Sequence, residues 1–194
     1  MKIKSYVSGK LNNNTYMVIN DDNECVIIDA SAELQDIIPR VEDNKVLAVF
    51  LTHGHYDHFV NLEKILKHYN VKCYITQPEL EKLYNPKYNY SPVFGLFKTC
   101  KEPRESFIVL GEKEEFKLGK FNIKTFVTKG HTDGSVCIDI NGTLFTGDTK
   151  FNRTYGRTDL LTGSEEDMHN SLEYIEKNYK GCEFYPGHGR PGVV

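Results

Sequence analysis

The chain has no run of about 18 consecutive apolar residues, the length a membrane-crossing helix needs. Its N-terminus passes from Met1-Lys2-Ile3-Lys4-Ser5 to the polar Asn12-Asn13-Asn14 without the apolar stretch of an export signal, so a cytoplasmic location is expected. Basic charge is not in excess either: 24 Lys and Arg stand against 27 Asp and Glu, a formal net charge of -3, which supplies no field for a polyanion. A small-molecule substrate is therefore expected, and neither a nucleic-acid nor a membrane partner; a homo-oligomer is compatible with the composition. Five cysteines, Cys25, Cys73, Cys100, Cys137 and Cys182, include no C-x-x-C pair, which suits buried thiols in a reducing compartment. Short-period repeats, low-complexity segments and a G-x-S-x-G nucleophile motif are all missing. What is present, 194 residues with 39% hydrophobic and 26% charged, is the composition of one globular domain or a compact pair of halves.

Apolar periodicity repeats a coarse plan in each half. Tyr16-Met17-Val18-Ile19 and Cys25-Val26-Ile27-Ile28, separated by Asn20, Asp21, Asp22 and Asn23, predict an antiparallel hairpin. Leu34, Ile37, Ile38 and Val41 follow at helical spacing, with Pro39 expected to bend or shorten the helix. Residues 46–51 form a continuous apolar run ending in polar residues, as a strand buried on both faces would, so helices must flank the sheet. Leu62, Ile65, Leu66 and Tyr69 predict another helix, and residues 71–75 a short strand. Residues 85–103 combine Pro86, Pro92, Gly95 and Pro103 with Tyr88, Tyr90, Phe94 and Phe97, and predict a long ordered loop. Its aromatics are expected to pack the loop onto the domain in preference to lining a pocket. Strands are predicted at Phe107–Leu110, 114–118, Phe121–Val127 and Val136–Ile140, with Asn141-Gly142 turning into a strand at 143–146. Ser164 caps a helix with the stripe Met168, Leu172, Ile175 and Tyr179, and 182–185 is the last strand. Strands, then a buried strand ending in polar residues, then a helix, once per half, imply a layered α/β arrangement.

The polar cluster after the 46–51 run is Thr52-His53-Gly54-His55-Tyr56-Asp57-His58, an H-x-H-x-D-H array. Imidazole and carboxylate are ligands for zinc and similar divalent ions, and Gly54 lets the backbone turn tightly enough for neighbouring side chains to converge. Residues at a strand-to-helix turn take different directions, so His53 and His55 can bind one ion while Asp57 and His58 face a second. His131 and His188 each follow a predicted strand beside glycine. Alone, either would be a solvated loop side chain; the array makes both candidate ligands. Asp148, in Thr146-Gly147-Asp148-Thr149, is either a turn residue or a carboxylate whose two oxygens bridge two cations. Arg157 is either an anchor for a carboxylate-bearing substrate or half of an ion pair with Asp159 or another carboxylate. His68 and His169 fall in predicted amphipathic helices and are read as surface residues.

Taken in order, His53-Gly54-His55-Tyr56-Asp57-His58, Gly130-His131-Thr132, Thr146-Gly147-Asp148-Thr149 and Pro186-Gly187-His188-Gly189 resemble the metallo-β-lactamase superfamily. The resemblance runs from the first strand to the last loop. It implies an α/β fold, a four-layer αββα sandwich of two pseudo-symmetric halves, as a single domain over residues 1–194. It also implies that His53, His55 and His131 hold a first metal, that Asp57, His58 and His188 hold a second, and that Asp148 bridges them, with Asp29 matching an early structural aspartate. Having His58 beside Asp57, and Asp148 where many true β-lactamases carry cysteine, resembles the glyoxalase II branch, whose members hydrolyse glutathione thioesters. Gly156-Arg157-Thr158-Asp159-Leu160, followed by Gly163-Ser164, resembles both small glyoxalase II-like hydrolases and persulfide dioxygenases. With His188 close to the end of the sequence, the C-terminal helical glutathione-binding extension of full glyoxalase II is not expected. Ser31, Lys129, Asp133 and Lys150 depart from residues frequent in the family and are expected to alter loops more than ligation.

The resulting expectation is a dinuclear metal-dependent hydrolase with two divalent ions, zinc first, iron or manganese as alternatives. It would cleave a small hydroxyacyl-glutathione-like thioester, or a related ester, by a metal-bound hydroxide. Two dications bring the pKa of a shared water from 15.7 towards about 7, and Asp57, as ligand and hydrogen-bond acceptor, can orient it. Two readings compete: a mononuclear non-haem iron persulfide dioxygenase using His53, His55 and Asp148 or His131, and a non-catalytic metal-binding interaction protein.

Overall fold

Strands whose side chains are apolar at every position, not at alternate ones, need a partner layer on each face. In the computed structural model, which describes residues 1–194, β2 (Asn13–Ile19), β3 (Glu24–Ile28) and β4 (Lys45–Phe50) meet that condition over residues 16–19, 25–28 and 46–50. Tyr16, Val18, Val26, Ile28, Ala48 and Phe50 point to one side, into a core shared with Phe121, Ile138 and Phe145 of the facing sheet. Met17, Ile19, Cys25, Ile27 and Val49 point to the other, against helices through Ile37, Ile65 and Leu80.

The first sheet is completed by β1 (Lys2–Ser8), β5 (Lys72–Thr76) and β6 (Phe107–Leu110), and its spatial order is the chain order. β1 to β3 are antiparallel, and β3 to β6 run parallel. The second sheet contains β7 (Lys113–Leu118), β8 (Phe121–Val127), β9 (Val136–Ile140), β10 (Thr143–Gly147), β11 (Glu183–Pro186) and β12 (Gly192–Val193). All its pairs are antiparallel except β10 with β11. Helices α1 (Leu34–Val41), α2 (Tyr56–Phe59), α3 (Leu62–Tyr69), α4 (Gln77–Leu83) and α5 (Pro86–Asn89) belong to the first half. α6 (Glu165–Asn178) covers the second sheet, packing Ile175 against Phe126, Leu144 and Phe184. The layers are therefore αββα, as expected, and no helix is long and apolar enough to cross a membrane.

Several sequence expectations need correction. β1 is an unpredicted, half-buried edge strand, whose Lys2 and Lys4 mask its apolar alternation. Pro39 lies on the exposed side of α1, which continues to Val41. α4 was not foreseen, although Thr76 before Pro78 and Glu79 is a helix-start signature. The 85–103 loop holds α5 and a 3₁₀ turn at Ser91–Phe94. The buried stripe of α6 is Met168, Ser171 and Ile175, with Leu172 only half-buried. Ser164 does cap α6, accepting from the Asp167 amide at 3.2 Å.

Parallel pairing of β3 with β4 and of β10 with β11 brings the ends of these strands to one edge of the sandwich, and β8, separated from β10 by one antiparallel strand, ends there too. α4 ties two of the resulting turns together. A Cβ on Gly54 would lie 2.7 Å from the Glu79 carbonyl oxygen, so only glycine fits there. The Gly54 amide donates to Glu79 Oε2 at 2.7 Å, and Lys82 Nζ donates to Glu79 Oε1 at 2.8 Å and to Asp133 Oδ1. Thr76 Oγ1 donates to the Gly134 carbonyl at 2.6 Å. A carboxylate and an ammonium that are 0% and 4% exposed thus lock the turn after β4 to the turn after β8. Lys82→Met leaves Glu79 as an uncompensated buried charge and is expected to cost about 3–5 kcal/mol. Most of this should return in the Glu79→Gln/Lys82→Met double variant, measured by urea unfolding of the complete cycle.

Candidate metal centre

All seven candidate ligands lie in turns at this edge. His53 and His55 follow β4, Asp57 and His58 sit on the single turn of α2, and His131, Asp148 and His188 follow β8, β10 and β11. Three groups have ligand atoms within 4.8 Å of one another: His53, His55 and His131; His53, His58 and Asp148; and Asp57, His58 and His188.

The hydrogen bonds of the outer ring nitrogens decide which inner ones carry lone pairs. His131 Nδ1 lies 2.7 Å from the Arg157 carbonyl and His188 Nδ1 lies 2.9 Å from the Leu11 carbonyl. A carbonyl can only accept, so both Nδ1 atoms carry the proton in the neutral ring, and both Nε2 atoms face inward with lone pairs. Thr52 Oγ1 donates to the Asp29 carboxylate at 3.0 Å and accepts from His53 Nδ1 at 3.2 Å, which aims the His53 Nε2 lone pair inward too. His55 presents Nδ1, at 3.1 Å from His53 Nε2 and 3.0 Å from His131 Nε2. One proton on His55 cannot satisfy two acceptors at once; a cation among the three nitrogens can. Burial, followed by the neighbouring imidazoles, holds His53 and His55 well below the usual histidine range, which keeps them in the neutral form a metal requires.

The second cluster is richer in negative charge. His58 Nδ1 pairs with Asp29 Oδ2 at 2.8 Å, while its Nε2 is 3.3 Å from His188 Nε2 and 3.5 Å from Asp148 Oδ1. Burial opposes ionisation of His58, yet Asp148, Asp29 and Asp57 together raise its pKa to about 10. Asp148 is likewise resisted by burial but held well below the usual carboxylate range by His58, His188 and His131. Its Oδ2 is 3.4 Å from His188 Nε2 and 3.6 Å from His131 Nε2, so this carboxylate faces both clusters, and its buried Oδ1 has no hydrogen-bond partner. The converging lone pairs, the unpartnered oxygen and the concentrated negative charge all fit divalent cations.

Side chains not foreseen from the sequence hold this arrangement. Asn13 Nδ2 donates to Asp57 Oδ2 at 2.8 Å, and Asn14 Nδ2 donates to the carbonyls of Pro186 and Gly189 on either side of His188. The polar Asn12-Asn13-Asn14 run was their only signal. Glu79 and Lys82 had none, because buried charge is indistinguishable in sequence from a solvated helix face. In the 156–160 segment, the Gly156 amide donates to the Asp148 carbonyl at 2.9 Å, and a Cβ there would lie 2.0 Å from that oxygen. Arg157 forms a bidentate pair with Asp159, both contacts 2.7 Å, on an exposed surface. A cleft of about 490 Å³ opens above His55, Asp57, His131, Asp148 and His188. Tyr90 and Phe94 line it and Phe97 is 84% exposed, so these loop aromatics do not simply pack onto the domain. His68 and His169 are exposed, as expected.

Comparisons with known proteins agree with this geometry. A "Probable metallo-hydrolase" of Streptococcus pyogenes is 30% identical over 201 residues, covering 97% of this chain and 84% of that protein. The crystal structure of BLEG-1 B3 metallo-beta-lactamase superposes with a TM-score of 0.93 at 28% identity, covering 99% of this chain and 94% of that one. At 23% identity, TTHA1623 in a di-iron-bound form shares the fold with a TM-score of 0.83, over 98% and 94% of the two chains. The metallo-hydrolase relative and the ligand clusters support a metal-dependent hydrolase. With the family model for the metallo-beta-lactamase superfamily matching residues 8–188, which include every candidate ligand, the chain belongs to that superfamily.

Proposed function

We propose that this protein is a dinuclear, glyoxalase II-like thioesterase, with zinc the first choice of metal and His53, His55, His131, Asp57, His58, His188 and Asp148 its ligands. The observation that carries the reading is the pair of ligand clusters faced by one carboxylate, Asp148. When bound, two divalent ions supply an acidified water and polarise an acyl carbonyl. Asp57, fixed by Asn13 at the floor of the cleft, would accept a hydrogen bond from that water and orient it. Hydrolysis would join the water oxygen to the acyl carbon and break the C–S bond with its electron pair on sulfur, giving a carboxylic acid and a thiol. A thiolate leaves without a dedicated proton donor. The only titratable groups of the lining besides the ligands are Tyr90, whose hydroxyl oxygen accepts from the Leu161 amide, and Arg157, which pairs with Asp159.

The Gly156-to-Leu160 segment also motivated the persulfide dioxygenase reading. Here its glycine and its Arg157 carbonyl support Asp148 and His131, a role that does not call for persulfide chemistry, and the second cluster favours two ions over one. The five unpaired cysteines accord with a cytoplasmic location.

Metal analysis of replete protein should give two ions per chain, and chelation should abolish thioester hydrolysis. Asp148→Asn keeps the side-chain size but removes the charge that offsets metal–metal repulsion. It should weaken the second ion more than the first and lower activity further than His188→Ala; near-normal turnover with two ions bound would reduce Asp148 to a turn residue. A pH test follows from His58. In the metal-free protein its pKa is raised from 6.5 to about 10, so its stabilising contribution is complete below pH about 6.5 and lost as pH climbs towards about 10. Thermal unfolding of chelated protein should show this decline. Metal affinity should rise over the same interval because His58 must give up a proton to ligate.

A further inference from the structure

The cleft has a polar floor and apolar walls from three chain segments. Leu11 comes from the β1–β2 turn, Val93 and Phe94 from the turn after α5, and Phe151 and Leu160 from the segment after β10. Leu11 and Val93 are 51% and 76% exposed, so the mouth presents apolar surface to water beside a cluster of metal-type ligands. Such surface next to convergent polar groups marks where the apolar part of a ligand is buried.

Each wall is tied to the centre or to another wall. The Leu11 carbonyl accepts from His188 Nδ1 at 2.9 Å, and the Gly156 amide donates to the Asp148 carbonyl at 2.9 Å. The Leu161 amide donates to Tyr90 Oη at 2.7 Å, joining the second wall to the third, and the Tyr90 ring stands edge-on to His55 with centroids 5.1 Å apart. The walls are therefore held in register with the reacting position, which reduces the ordering cost of binding.

Charge narrows the ligand further. Arg157 is the one arginine or lysine in the lining, and Asp159 takes its Nε and Nη2 edge in a bidentate pair. A carboxylate on the acyl group would meet a guanidinium whose charge Asp159 already offsets, or lie among Leu11, Val93, Phe94 and Leu160 without a partner. We infer that the cleft is an acyl pocket selecting uncharged, apolar acyl groups longer than acetyl and rejecting acyl groups that carry a carboxylate. This inference rests on the thioesterase reading and adds the substrate class to it.

The test uses zinc-loaded full-length protein and thioesters of N-acetylcysteamine carrying acetyl, butyryl, hexanoyl, phenylacetyl and succinyl groups. Binding of the matching ketones, in which a methylene replaces the thioester sulfur, is followed in parallel by calorimetry. From acetyl to hexanoyl, kcat/KM should rise about tenfold or more, the ketones should tighten in the same order, and the succinyl compounds should rank last. Val93→Glu changes an exposed side chain and should lower the hexanoyl-to-acetyl ratio by about fivefold or more. Hydrolysis indifferent to the acyl group, or best with succinyl, would overturn the acyl pocket and leave the thioesterase reading standing. Ketone binding that follows chain length without hydrolysis of any thioester would uphold the pocket and overturn the reaction; failure of both would overturn both.

Discussion

The carboxylate of Asp29 is buried between the ends of β3 and β4, on a residue held at φ +58°, and much of the candidate centre takes its direction from it. One oxygen receives the Thr52 amide at 2.9 Å, and the other receives His58 Nδ1 at 2.8 Å. Through the Thr52 hydroxyl the same carboxylate also sets the His53 ring. A single buried anion thus orients one histidine in each cluster, and it fixes which nitrogen each can offer to a cation. The Asp29 amide bonded to the Phe50 carbonyl, and the Ala30 amide bonded to the His58 carbonyl, hold the backbone that makes this reach possible.

Electrostatics and packing divide the work around that anion. The first cluster is three imidazoles, of which His53 and His55 are kept neutral by burial, whereas the second places His58 among three carboxylates. In the metal-free protein a proton on His58 answers that negative charge; a divalent cation answers it more completely because it can also meet the lone pairs of His188 and His131. On the far side of the first cluster, the Glu79–Lys82–Asp133 bridge supplies rigidity without adding a net charge of its own sign to the site beyond that of the outermost carboxylate. Chemistry and selectivity are then separated in space. The floor is built from strand-end residues fixed by both sheets, while the walls are loop residues such as Leu11, Val93 and Leu160, which can vary without disturbing the ligands.

Much of this was legible in the order of residues. The unbroken apolar runs of β2, β3 and β4 required cover on both faces, hence helices outside two sheets. The H-x-H-x-D-H spacing identified four candidate ligands in one turn, and glycine beside His131, Asp148 and His188 marked the others. Those signals are local, because they depend on periodicity and on neighbours along the chain. Arg157 shows the limit of such signals: its partner choice was open in the sequence, and the structure pairs it with Asp159 two residues away.

Tertiary structure alone decided the rest. Asn13 meets Asp57, Asn14 meets Pro186, Lys82 meets Asp133 and Tyr90 meets Leu161, each pair separated by tens of residues or more. Nothing in a buried Glu79 or an exposed Val93 distinguishes it in sequence from an ordinary helix or loop residue. Side-chain type and short spacing specify which chemistry is available, and they are carried by neighbouring residues. Burial, the choice of tautomer and the walls of the cleft arise from contacts between the two halves and between distant turns, so they exist only once both sheets have packed.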